Sequence, residues 1–168
     1  MQSIIDNYKN NLSKAQLSAL NSEIAGVNAV TMLNDDFTPT YDNAGIEIDT
    51  LIWEEIAELN KLGATTQFCC VGHKEAPNVA YIVFVDNTIS RKVLPELLDT
   101  SFDQFEHNLE LEEYPADMFG KDSVIVIRLR VFGPTASYSE TALTLGYAKI
   151  KIILDKLIEL VQCFNQEK

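Results

Sequence analysis

The sequence predicts an α+β fold, a four-stranded and mostly antiparallel sheet with helices packed on one side, in the order ααββαββα. Two observations point there. Four stretches repeat their apolar residues at helical spacing, and four others alternate or run apolar as strands do. The helical stretches flank paired strand stretches, an order suited to antiparallel strands with helices on one face. The chain has 168 residues, 46% of them hydrophobic and 23% charged, which is the composition of one globular domain spanning residues 1–168.

Ile4, Ile5, Tyr8, Leu12, Ala15 and Leu20 recur near helical spacing and predict an opening amphipathic helix. Residues 26–45 then carry turn chemistry, in Asn34-Asp35-Asp36, Thr38-Pro39 and Asp42-Asn43. A second helix starts at Thr50. Ile52, Ile56, Leu59 and Leu62 form its inner face, Glu54, Glu55 and Glu58 are expected outside, and Gly63 suits the position just past its end.

Residues 65–71 are β-branched and aromatic enough for a strand, and residues 79–85 are apolar on both faces, which predicts a central strand. Thr88 or Asn87 is placed to cap a helix through Leu98. Pro95 predicts that this helix is short or kinked, since a proline inside a helix costs about 3 kcal/mol. Two more strands follow, with His107, Leu109 and Leu111 inward on one and Ile125, Ile127, Leu129 and Val131 inward on the other. Antiparallel pairing lets Glu110 and Glu112 face Arg128 and Arg130, each pair contributing roughly 0.2–1 kcal/mol. That makes the arginines structural partners rather than a substrate clamp. Residues 115–122 suit a turn, and Gly133-Pro134 ends the sheet. Ser137 or Ser139 caps the longest helix, whose apolar face carries Ile150, Ile153, Leu157, Leu160, Val161 and Phe164.

The formal net charge of −12 argues against direct binding to a nucleic-acid backbone, which needs clustered lysine and arginine. No run approaches the roughly 18 apolar residues of a membrane span, and the first residues lack a secretory pattern, so a cytoplasmic protein is expected. Acid is unevenly spread. Residues 15–60 hold nine acids and no base, and residues 93–120 hold eight and no base, together seventeen of the 25. A strongly negative face speeds and orients association with a basic partner. Asp35, Asp36, Asp42, Glu54, Glu55, Glu58, Asp103, Glu106 and Glu113 are the expected partner-binding residues, and a nucleic-acid-processing nuclease is one such partner. The bland alternative is a solvated face with local ion pairs. No phosphate-binding glycine loop or serine-hydrolase elbow is present; Asp42 and Asp49 flank Gly45-Ile46-Glu47-Ile48 as a hydrolase would use them with magnesium, yet no spacing singles out a catalytic carboxylate pair.

Cys69, Cys70 and His73 place three soft-metal ligand types within five residues at a strand end. Zinc takes thiolate sulfur and imidazole nitrogen, usually four in tetrahedral array. Gly72 permits a sharp turn that folds His73 back beside Cys70, whereas strand alternation sends Cys69 and Cys70 to opposite faces. Remaining ligands are sought in His107, Cys163, Asp86 or a carboxylate of the acidic blocks. Three alternatives stand beside this. Buried cysteines act as small hydrophobes, Cys70 assisted by His73 is a nucleophile, and a zinc ion with an open position serves a hydrolase acting on a small or nucleotide substrate.

Over residues 52–84, Trp53, Leu59-Asn60, Gly63, Thr65-Thr66, Cys70-x-Gly72-His73 and Tyr81-Ile82-x-Phe84 form a pattern that resembles one found in small phage and prophage proteins. The resemblance covers about a fifth of the chain. That viral setting includes anti-defence proteins, among them metal-containing inhibitors of type II CRISPR nucleases. The resemblance implies that Cys70 and His73 are the positions that matter most, and it points to a non-enzymatic inhibitor with a structural metal site. Cys69 lies outside the shared pattern.

Overall fold

Two helices, not one, open the chain, because Ser13 starts a second. The computed structural model describes residues 1–26, 45, 47–74, 80–116, 122–132 and 139–167. Helix α1 runs Gln2–Asn10 and α2 runs Lys14–Ala25. Between them the Ser13 hydroxyl accepts from the Gln16 amide and the Gln16 side chain accepts from the Ser13 amide, both at 3.1 Å. This reciprocal cap satisfies two otherwise orphaned donors and fixes a new helix start, so the single expected helix is divided. Gly26, with φ 70°, closes α2.

A 3₁₀ turn, Thr50–Ile52, leads into α3, Trp53–Lys61. The Asp49 side chain caps the turn by accepting from the Leu51 amide at 3.2 Å. Ile56 and Leu59 are fully buried, as their spacing requires. Glu55 departs from expectation. It is only 3% exposed and is bound to Lys151 of the last helix. Its position lies four residues from both Leu51 and Leu59, on the buried stripe itself, so periodicity wins over polarity and the carboxylate takes its counter-ion inside. Glu55 therefore leaves the set of partner-facing acids.

Strands β1 (Thr66–Cys70), β2 (Tyr81–Val85), β3 (Asn108–Tyr114) and β4 (Val124–Arg130) form one antiparallel sheet in the order β1-β2-β4-β3. The central place of β2 matches its apolar character on both faces. Between the hairpins, α4 spans Thr88–Leu98, capped by Asn87, and continues three residues past Pro95. The closing helix α5, Glu140–Gln166, starts at Ser139 and packs against α1, α3 and α4.

Alternation sorts the sheet. Ile82, Phe84, Ile125, Ile127 and Leu129 join the main core with Leu59, Leu94, Leu97, Tyr147, Ile150 and Leu154 from the helices. Val83, Val124 and Val126 lie on the other face among Phe68, Tyr81 and Tyr114. The expected charge pairs form there, but diagonally. Arg128 stands opposite Glu110 in register yet bonds Glu112 at 2.9 and 3.0 Å, and Arg130 reaches Glu110 at 3.2 Å. Arg128 and then the Tyr114 hydroxyl hold the Glu112 carboxyl down at about 2. Among the described residues no helix is long and apolar enough to cross a membrane.

Candidate functional site

Strand β1 ends by turning Cys70 and His73 toward each other. Cys69 packs against the main core, and the chain bends at Gly72, where φ is 81°. A left-handed residue there is where glycine costs least. The Gly72 amide donates to the Cys70 sulfur at 3.3 Å, and His73 Nε2 lies 3.7 Å from that sulfur. The other ring nitrogen, Nδ1, lies 3.0 Å from Glu23 Oε1 in the last turn of α2. A proton on Nδ1 shared with Glu23 leaves the Nε2 lone pair directed at the sulfur side.

Three elements hold this bend. Lys74 Nζ donates to the Ile24 carbonyl at 2.7 Å, binding the bend to α2 a second time. Asp49 Oδ2 accepts from the Val71 amide at 3.3 Å. From α5, the Tyr147 hydroxyl donates to the Gly72 carbonyl at 3.1 Å. The His73 side chain is 62% exposed and that of Glu23 only 15%, so the imidazole meets solvent over a shielded carboxylate.

Tyr147 is buried, and its hydroxyl ties α5 to the bend. Tyr147→Phe is expected to lower stability by about 1 kcal/mol, the net worth of a neutral hydrogen bond. Urea unfolding of the two proteins checks this, and an unchanged midpoint would remove α5 from the clamp.

The local field is negative. Burial is the main cause that pushes the Cys70 thiol above its ordinary range; the Gly72 amide opposes it, and Asp49 and Glu23 push further. Burial likewise raises the Asp49 carboxyl against the pull of the Leu51 and Val71 amides and His73. Reactive cysteines sit in electropositive surroundings that stabilise a thiolate. These surroundings are the opposite and do not activate Cys70 as a nucleophile.

The structure thus brings Cys70 and His73 together, sets Glu23 and Asp49 of the first acidic block beside them, and gives Cys163, His107 and Asp86 other surroundings. Cys163 is exposed near the end of α5. His107 packs edge-on against Phe102, with centroids 4.9 Å apart, and its Nδ1 lies 3.3 Å from the Phe105 carbonyl. Asp86 is paired with Arg91 at 2.5 Å. Among the described residues no set of three or more His, Cys, Asp and Glu side chains is arranged to hold a metal ion. Glu23, Asp49 and Tyr147 have no local sequence signal tying them to Cys70. Glu23 offers one hint, since an acid in a helix's last turn opposes the helix dipole.

Of the expected partner-facing acids, Asp35, Asp36 and Asp42 lie outside the described residues. Glu54, Asp103 and Glu106 are exposed. Glu58 pairs with Lys61 at 3.3 Å, and Glu113 lies 3.7 Å from Arg91. The chain matches no protein-family model, no curated protein and no solved structure.

Proposed function

We propose that this chain is a non-enzymatic acidic binding protein that engages a basic protein, most concretely as a phage-borne inhibitor of a CRISPR effector nuclease in the host cytoplasm. The observation that carries the reading is how the charges are spent. Lys9, Lys61, Arg91, Lys92, Arg128, Arg130, Lys151 and Lys156 each pair with an acid. Lys74 and Lys149 donate to backbone carbonyls. Glu47, Glu54, Asp99, Asp103, Glu106 and Asp122 are exposed and have no ion pair among the described residues. Among the described residues most bases are paired with acids, so what remains for a partner there is surplus negative charge. Three of those acids, Asp99, Asp103 and Glu106, fall in the short connection between α4 and β3.

A nuclease groove that binds nucleic acid displays the complementary sign, and an acidic protein seated there competes with the phosphate backbone. The resemblance over residues 52–84 supports the choice of a defence nuclease. Pull-down and cleavage assays with purified CRISPR effectors test the reading. Binding is expected at low salt, weakening as salt rises, and a double change Asp103→Lys, Glu106→Lys is expected to slow association several-fold through loss of steering. No binding and no inhibition at micromolar protein in low salt would overturn the nuclease assignment. The rival zinc-hydrolase reading predicts a turnover that Cys70→Ser abolishes in a folded protein.

A further inference from the structure

We propose that Cys70 and His73 jointly hold one divalent transition-metal ion of the zinc class, and that Glu23 is the carboxylate that aims His73 at it. This inference is independent of the acidic-surface reading, since none of the three residues belongs to the exposed acids that carry that reading.

Distance is the first support. With zinc about 2.3 Å from sulfur and 2.0–2.1 Å from nitrogen in tetrahedral array, two such ligands stand about 3.5 Å apart. Cys70 Sγ and His73 Nε2 stand 3.7 Å apart, so an ion fits after a shift of tenths of an ångström. Orientation is the second. A histidine that binds a metal through one nitrogen almost always donates the other N–H to a carboxylate, a carbonyl or water, which fixes the ring and raises its basicity. Glu23 occupies that position at 3.0 Å from Nδ1 while Nε2 faces the sulfur.

Preorganisation is the third. The residues between and beside the two ligands are tied by the Val71, Gly72 and Lys74 bonds to three different elements, so little ordering is left to be done on binding. Charge is the fourth. The Glu23 carboxylate lies 3.0 Å from His73 Nδ1 and that of Asp49 accepts from the Val71 amide beside Cys70, and a divalent cation carries the opposite sign. Sulfur with imidazole selects zinc, cobalt or copper over magnesium and calcium, which take oxygen. The exposed imidazole leaves a path for entry, with positions beyond the two protein ligands open to water.

The test uses the full chain, purified without a histidine tag, titrated with cobalt(II) and then with zinc as competitor. One cobalt per chain is expected, with the intense absorption of thiolate-to-metal charge transfer, displaced by zinc. Cys70→Ser is expected to abolish that band, and Cys69→Ser and Cys163→Ser to leave it. Glu23→Gln is expected to weaken affinity by about 10–100-fold, the usual loss when such an orienting partner is removed. Circular dichroism establishes that each variant is folded. Should Cys70→Ser not fold, His73→Ala at the exposed ring carries the same expectation. No stoichiometric cobalt, or a band that depends on Cys69 or Cys163, would overturn the site. An unchanged affinity in Glu23→Gln would overturn the role of Glu23.

Discussion

Lys151→Met is expected to cost about 3 kcal/mol of stability at neutral pH, and to return much of that loss on acidification. The reason is Glu55. Its side chain is 3% exposed, one oxygen is bound to Lys151, and the other has no hydrogen-bond partner among the described residues. Removing one member of a buried pair leaves an uncompensated charge, typically a loss of about 3–5 kcal/mol. The low end applies because Lys151 is 25% exposed and lines a cavity of about 470 Å³ between α1 and α5, which admits water on that side.

The pH dependence follows from the direction of the Glu55 shift. Burial raises its carboxyl above the ordinary 4.5, while Lys151 pulls it back. A carboxyl raised in the folded state binds more protons folded than unfolded between the two values, so stability falls as pH rises through that window. Without Lys151 the folded value climbs further and the fall steepens. Urea unfolding from pH 4 to pH 8 reads this directly. The double change Glu55→Gln, Lys151→Met should recover most of the loss, because a neutral amide replaces the stranded carboxylate. A single variant as stable as the parent at neutral pH, or weaker in acid, would show that Glu55 does not depend on Lys151.

The same residue shows what the sequence could and could not convey. Helical period placed Ile56 and Leu59 inside correctly, and it contained the answer for Glu55, which shares their stripe. Residue polarity alone argued the other way, and a counter-ion 96 residues along the chain reversed it. The central place of β2 and the Arg–Glu face of the β3–β4 pair were legible because apolar pattern is local and those two strands are close in sequence. The division of the opening helix was also legible, in Ser13 and Gln16, to a reading that looks for caps before periods. At the candidate site the Cys70–His73 pair follows from Gly72 and a three-residue spacing. Glu23 is 50 residues from His73, and Asp49 is 22 from Val71. Those contacts are products of how α2 and the 3₁₀ turn pack, which no local pattern encodes.

Asp49→Ala is expected to cost about 2–4 kcal/mol and to loosen the bend that carries Cys70. One carboxylate does two jobs, capping the 3₁₀ turn at Leu51 and receiving the Val71 amide. Loss of a cap costs about 1 kcal/mol. Val71 is 1% exposed, so its amide would be left without a partner, at about 1–3 kcal/mol more. Asp49→Asn separates the two jobs. Leu51 and Val71 reach different oxygens of Asp49, and asparagine puts a donor NH2 in the place of one of them, so its stability should fall between parent and Asp49→Ala. Hydrogen exchange at the Val71 amide distinguishes a local effect from a global one. Exchange accelerated at Val71 beyond the drop in overall stability would mean that Asp49 holds the end of β1 in place. Exchange that merely tracks overall unfolding would instead assign Asp49 to the turn alone and leave the bend to Glu23, Lys74 and Tyr147.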